Sequence, residues 1–164
     1  MIDTLNVLIE RLREELQQYG EMLALLDQQQ QQVVSRHTGD LLATAAAVNE
    51  QGSVIQSARE RREEARRGLA RSLGQSEVAP FVELVPLVSP SYRPLLEALV
   101  TENNQLLVRV QQRARQNHML LHRSLDLLQR LISSLSPAGS PVYDGAGHLL
   151  GSTLLGRSMY EAVG

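Results

Sequence analysis

Cysteine, tryptophan and lysine are all missing from this 164-residue chain, and aromatic residues make up only 3% of it. Without cysteine there can be no disulfide framework and no thiolate chemistry. With so few aromatics, a core has to be built mainly from Leu, Val and Ala. All 16 basic residues are Arg, and the net charge is -2, which gives no general attraction to nucleic acid. No apolar run approaches the roughly 20 residues of a membrane span. The opening stretch "MIDTLNVLIERLREEL" threads charges through its apolar positions, so it does not read as a secretory signal. A soluble, cytoplasmic protein is the expectation.

What the chain does contain is Leu, Gln, Glu and Arg, the composition of long helices and coiled coils. Its length fits one domain. From Ile9 the apolar pattern keeps a heptad: Ile9, Leu12, Leu16, Tyr19, Leu23, Leu26, Gln30, Val33 and His37 alternate steps of three and four. That is the seam of a helix packed on other helices. The run "QQQQQ" at 28–32 falls inside the periodic stretch, and Gln is a fair helix former, so it reads as helix. "HTGD" at 37–40 follows, with Gly39 suited to end a helix and Asp40 to cap the next. The seam then changes phase and continues through Leu41, Val48, Ile55, Arg62 and Leu69. A short Gly-containing link with a phase shift predicts a helical hairpin. The competing reading is one continuous helix with a stutter.

Gly74 marks the end of the second helix, and Pro80, Pro86 and Pro90 forbid a long helix in the connector at 75–93. Its apolar residues predict a short helical turn lying on the bundle. A third helix is expected from about 92 to 135, with Pro94 in its first turn. Its stripe is Leu96, Leu99, Asn103, Leu106, Val110, Ala114, Asn117, Leu121, Ser124, Leu128, Leu131 and Leu135, where the two asparagines are polar specifiers of register. Leu23 and Leu121 are expected in the core. The fold class is therefore all-α: an elongated bundle of long antiparallel helices over 1–135, with a short helical connector. A flexible, partner-binding tail is expected over 136–164. In that tail Leu149, Leu150, Leu154, Leu155, Met159, Tyr160 and Val163 point in all directions on a helical wheel. Disordered tails are normally poor in Leu, so this one reads as a segment that orders on a partner.

Nothing in the pattern supports an enzyme. His118 and His122 stand i,i+4 on one face, but a metal site needs three or four ligands, and Met119 occupies the place where a zinc protease needs its Glu. No metal and no cofactor is expected. "GAGHLLG" at 145–151 lacks the preceding strand that a nucleotide loop requires. In "RERREEARR" glutamates interleave every turn and cancel the field of the arginines.

"ENNQLLVRVQQRARQNHMLLHRSLDLLQRLISSL" followed by "PVYDGAG" resembles the FlgN family of flagellar export chaperones. The features come in the family's order. A long N-terminal helical hairpin has a link like "HTGDLLA", and its second helix ends in Glu and Arg. A late helix carries Asn-x-x-Leu-Leu, matched by Asn117, Leu120 and Leu121. A Tyr-x-x-x-Gly turn comes last, matched by Tyr143 and Gly147. The connector at 75–93 is more proline-rich than the family pattern.

The resemblance implies a cytoplasmic chaperone without ATP use. Such a chaperone binds hook–filament junction (hook-associated) subunits, prevents their premature assembly and delivers them to the flagellar type III export gate. It implies subunit binding by Asn117, Leu120, Leu121, Leu149, Leu150, Leu154 and Leu155. It implies docking of Tyr143 and Gly147 on the cytoplasmic domain of the gate, with no membrane insertion. The alternative from a different class is a structural coiled-coil protein forming a homo-oligomeric scaffold; a helical nucleic-acid-binding protein is disfavoured by the charge.

Overall fold

A computed structural model describes residues 2–37 and 39–135. All the regular structure among these residues is helical: α1 (Ile2–Val34), α2 (Leu41–Ser72), a four-residue α3 (Phe81–Leu84) continued by a 3-10 turn (Val85–Leu87), and α4 (Arg93–Leu135). The all-α class and the three long helices agree with the sequence pattern. The chain divides into two compact units, Met1–Ser124 and Leu125–Gly164. Residues 136–164, which carry the expected tail, lie outside the described residues.

In the first unit α1 and α2 form the hairpin, not a continuous helix. Gln51 of α2 donates to the Gln18 carbonyl at 3.1 Å and to its side-chain oxygen at 2.8 Å, while Arg61 pairs with Glu14. Higher numbers in one helix meet lower numbers in the other, so the two run antiparallel. α4 runs parallel to α1, because Asn103 donates to the Leu12 carbonyl and Asn117 to the Leu26 carbonyl, each partner 91 positions earlier. The connector makes this up–down–up order possible. Its Leu84, Val85 and Val88 are buried, and Val85 and Val88 join Leu5, Leu8, Leu12, Leu69, Leu96 and Leu99 in one apolar cluster. A second cluster gathers Tyr19, Met22, Leu26 and Val110.

The hairpin link departs from the expectation. α1 ends at Val34, and the left-handed residue is Arg36 (φ 59°), not Gly39. Arg36 N–H bonds to Val33 O and His37 N–H to Gln32 O, the bond pair of a Schellman cap. Asp40 occupies the N-cap position of α2 but makes no side-chain cap bond. Gly74 does end α2 as its sequence position suggests, at φ 68° with Gln75 N–H bonded to Ala70 O.

The α1 seam also lies to one side of the expected line. The buried residues are Leu5, Leu8, Leu12, Glu15, Tyr19, Met22, Leu26 and Gln29, themselves stepping by three and four, together with Ile9. Leu16 and Leu23 are half-buried beside that line. The pattern was misleading because two of the buried positions, Glu15 and Gln29, are polar. Along α4 the expected stripe is buried at Leu96, Leu99, Asn103, Val110 and Asn117. Leu121 is half-buried, and Leu128, Leu131 and Leu135 are exposed, so the stripe is not core to its end.

Candidate functional site

Polar side chains set the bundle's register before any surface is presented. Glu15, 3% exposed, accepts from the Tyr19 hydroxyl at 2.8 Å and from Arg62 Nε at 2.9 Å. Burial, reinforced by the Glu15 carboxylate, pushes the Tyr19 phenol well above its ordinary range. Arg62 also stands over the Phe81 ring, 5.9 Å from its centre, and so ties the connector to α2. Arg66 completes the tie. It is buried and donates to the Glu77 and Ala79 carbonyls of the connector and to Glu63. The hydrogen bond from Arg66 holds the Glu63 carboxyl below the usual carboxylate range, and Arg61 does the same for Glu14.

Between α1 and α4 the work is done by two asparagines two heptads apart. Asn103 Nδ2 donates to Leu12 O at 3.0 Å and Leu99 O at 2.9 Å. Asn117 Nδ2 donates to Leu26 O at 2.7 Å and to Gln29 Oε1 at 3.0 Å. Arg113 adds an ion pair to Asp27 at 2.8 Å and a bond to the Gln30 side chain. Asn117 is only 1% exposed. It belongs to this seam, with its amide committed to α1, and offers nothing to a surface.

The end of α4 is different. Leu125, Leu127, Leu128, Leu131, Ile132 and Leu135 are between 50% and 82% exposed. At 100° per residue they occupy an arc of roughly 160°, with Asp126, Gln129, Arg130, Ser133 and Ser134 on the opposite side. A helix this amphipathic, with its apolar side in solvent, presents a surface for another apolar face. The cause can be read in the register. The 91-residue offset matches Val33, the penultimate residue of α1, with Ser124, the last residue of the first unit. α4 is 43 residues long against 33 for α1 and 32 for α2, so its seam outlasts its partners.

Of the residues expected to bind a subunit, Leu120 and Leu121 are half-buried just before this stretch, and Asn117 is in the interhelix seam. Leu149, Leu150, Leu154, Leu155, Tyr143 and Gly147 lie outside the described residues. Leu125, Leu127 and Ile132 were not singled out by sequence reasoning. The signal that could have found them is the excess length of the α4 pattern over those of α1 and α2.

His118 and His122 are exposed, with ring centres 6.3 Å apart in an edge arrangement. Among the described residues no three His, Cys, Asp or Glu side chains are placed to hold a metal ion. No helix among them is long and apolar enough to cross a membrane.

An up–down–up helical bundle held in register by buried polar contacts, with a bare apolar helix end, has the makings of a protein that works by covering another protein's surface. The model of the family described as FlgN protein matches residues 1–151, and the chain belongs to the FlgN family. That makes it a flagellar chaperone, from a family that is not enzymatic. Neither the curated proteins nor the solved structures give a match.

Proposed function

We propose that this chain is a cytoplasmic export chaperone for hook-associated subunits of the flagellum. It binds the subunits before export, prevents their premature assembly and hands them to the cytoplasmic domain of the type III export gate. The observation that carries the reading is the exposed apolar arc at the end of α4. An amphipathic helix of a subunit, whose own apolar face must stay covered until assembly, is the complementary partner. Leu120 and Leu121 border the gripping surface, and the tail leucines Leu149, Leu150, Leu154 and Leu155 add to it. Tyr143 and Gly147 are assigned to the gate. Asn117 is left out, because its amide is spent on Leu26 and Gln29. No cofactor is required, since the work is done by burying apolar area.

Each leucine-sized side chain buried contributes about 1.5–3 kcal/mol. Leu128→Asp with Ile132→Asp therefore weakens subunit binding by more than about tenfold, at about 1.4 kcal/mol per decade. The unfolding midpoint stays near that of the parent, because both residues are already exposed. Isothermal titration against purified hook-associated subunits, alongside urea unfolding, is the check. Unchanged affinity in a folded double variant would show that the α4 end is not the gripping surface.

A further inference from the structure

We propose that the groove between α1 and α4 lined by Leu23, Asp27, Arg109, Gln112, Arg113 and Gln116 is a docking site for an acidic segment of a partner protein, with Arg109 receiving one of its carboxylates. The groove holds about 140 Å³ of free space. Its four α4 residues stand at i, i+3, i+4 and i+7, which is one face of the helix. Arg113 is already committed: its Nε pairs with Asp27 at 2.8 Å, and it donates to the Gln30 side chain. Arg109, one turn earlier, is exposed, and among the described residues no hydrogen bond or ion pair holds it. Like charges at i,i+4 repel each other. Asp27 offsets one of the two guanidinium groups and leaves the other uncompensated.

The surroundings favour an anion. From 103 to 124, α4 carries four arginines and no acidic residue, and the stretch of α1 from 22 to 34 offers Asp27 alone. The nearest acid on α4 before Arg109 is Glu102, two turns away. A planar guanidinium donates two parallel N–H bonds to a carboxylate, and the amides of Gln112 and Gln116 add further donors beside it. Leu23 gives the methylenes of a glutamate stem an apolar surface. A protein segment suits this site better than a nucleic acid. The groove is short, and the chain's net charge of -2 opposes an extended polyanion that must be neutralised phosphate by phosphate. The site shares no residue with the exposed leucines at the end of α4, and it does not rest on the export reading.

The probe is a fluorescein-labelled peptide of four Glu-Glu-Leu repeats, titrated with the full chain and followed by fluorescence anisotropy at low salt, where charge pairing is least screened. A peptide of Gln-Gln-Leu repeats and a thymidine oligonucleotide of equal length are run beside it. Arg109→Glu is expected to weaken binding of the glutamate peptide at least about tenfold, since it replaces a charge-assisted bond by a repulsion. Its unfolding midpoint stays that of the parent, because Arg109 is exposed and unpaired. Arg115→Glu makes the same change of net charge about 120° round the helix from Arg109, and is expected to cost less than about twofold. Arg109→Lys keeps the charge, loses the fork and falls between the two. The glutamine peptide binds at least about tenfold more weakly than the glutamate peptide to the parent. Equal losses in Arg109→Glu and Arg115→Glu overturn the proposal, because the attraction would then be diffuse. So does a parent that fails to bind the glutamate peptide. Tighter binding of the oligonucleotide, lost in Arg109→Glu, also overturns it and makes the groove a nucleic-acid site.

Discussion

Arg36 adopts the left-handed backbone at the close of α1, with φ 59°. A side chain there sets Cβ against the carbonyl oxygen, at a cost of about 1–2 kcal/mol, where glycine has no penalty. Arg36→Gly therefore raises the free energy of unfolding by about 1 kcal/mol, after allowing for the extra freedom glycine gives the unfolded chain. Urea denaturation reads the change directly, and a loss of stability would mean that the arginine side chain contributes more than its backbone costs. Gly74 shows the same motif with the residue it favours, at φ 68°. The sequence made the second cap legible and hid the first, since nothing local to Arg36 announces a left-handed turn. Glu15 is the other residue whose role was hidden. Carboxylates are rarely buried unless paired, and its partners, Tyr19 and Arg62, include one that only tertiary packing supplies.

At the scale of elements, Asn103 and Asn117 hold α4 in parallel register on α1. Each buries an Oδ1 that has no hydrogen-bond partner, so each amide is only half satisfied. Unpaired buried acceptors cost about 1–3 kcal/mol each, and polar seam residues persist where they specify register. Replacing both by Leu should raise the unfolding free energy by about 2 kcal/mol and loosen the register. Spin labels on exposed positions of α1 and α4 should then report a broader distance distribution. A double variant less stable than the parent would show that the amides contribute net stability. The asparagines stood out from the sequence as seam residues. That their partners were backbone carbonyls of α1, and so that α1 and α4 run parallel, did not.

At the scale of the whole molecule, the proposed function divides two jobs between different segments. The bundle buries its core between Leu5 and Val110, while the apolar end of α4 remains exposed. Tyr143 lies beyond the described residues and is followed in sequence by Asp144-Gly145, a residue pair that favours turns. Tyr is favoured as an interface anchor. Tyr143→Ala is expected to weaken docking to the gate's cytoplasmic domain while leaving the unfolding midpoint and subunit affinity close to the parent's. Titration of the variant against both partners checks this. Loss of subunit binding with the gate contact spared would reverse the assignment of Tyr143.

By itself the sequence determined the elements. Heptad spacing placed three long helices, prolines confined the connector, and the order of features pointed to the family. These depend on the period of apolar residues and on backbone chemistry, which are local properties. Only the tertiary structure decided which side of α1 is core, because Glu15 and Gln29 are buried through partners on other parts of the fold. It alone decided that the Asn117 amide bonds to Leu26 and Gln29 of α1. It also turned the last leucines of α4 from expected core into exposed surface. A leucine stripe is identical in sequence whether or not a neighbour covers it; burial depends on where the partner helix ends, and α1 ends at Val34.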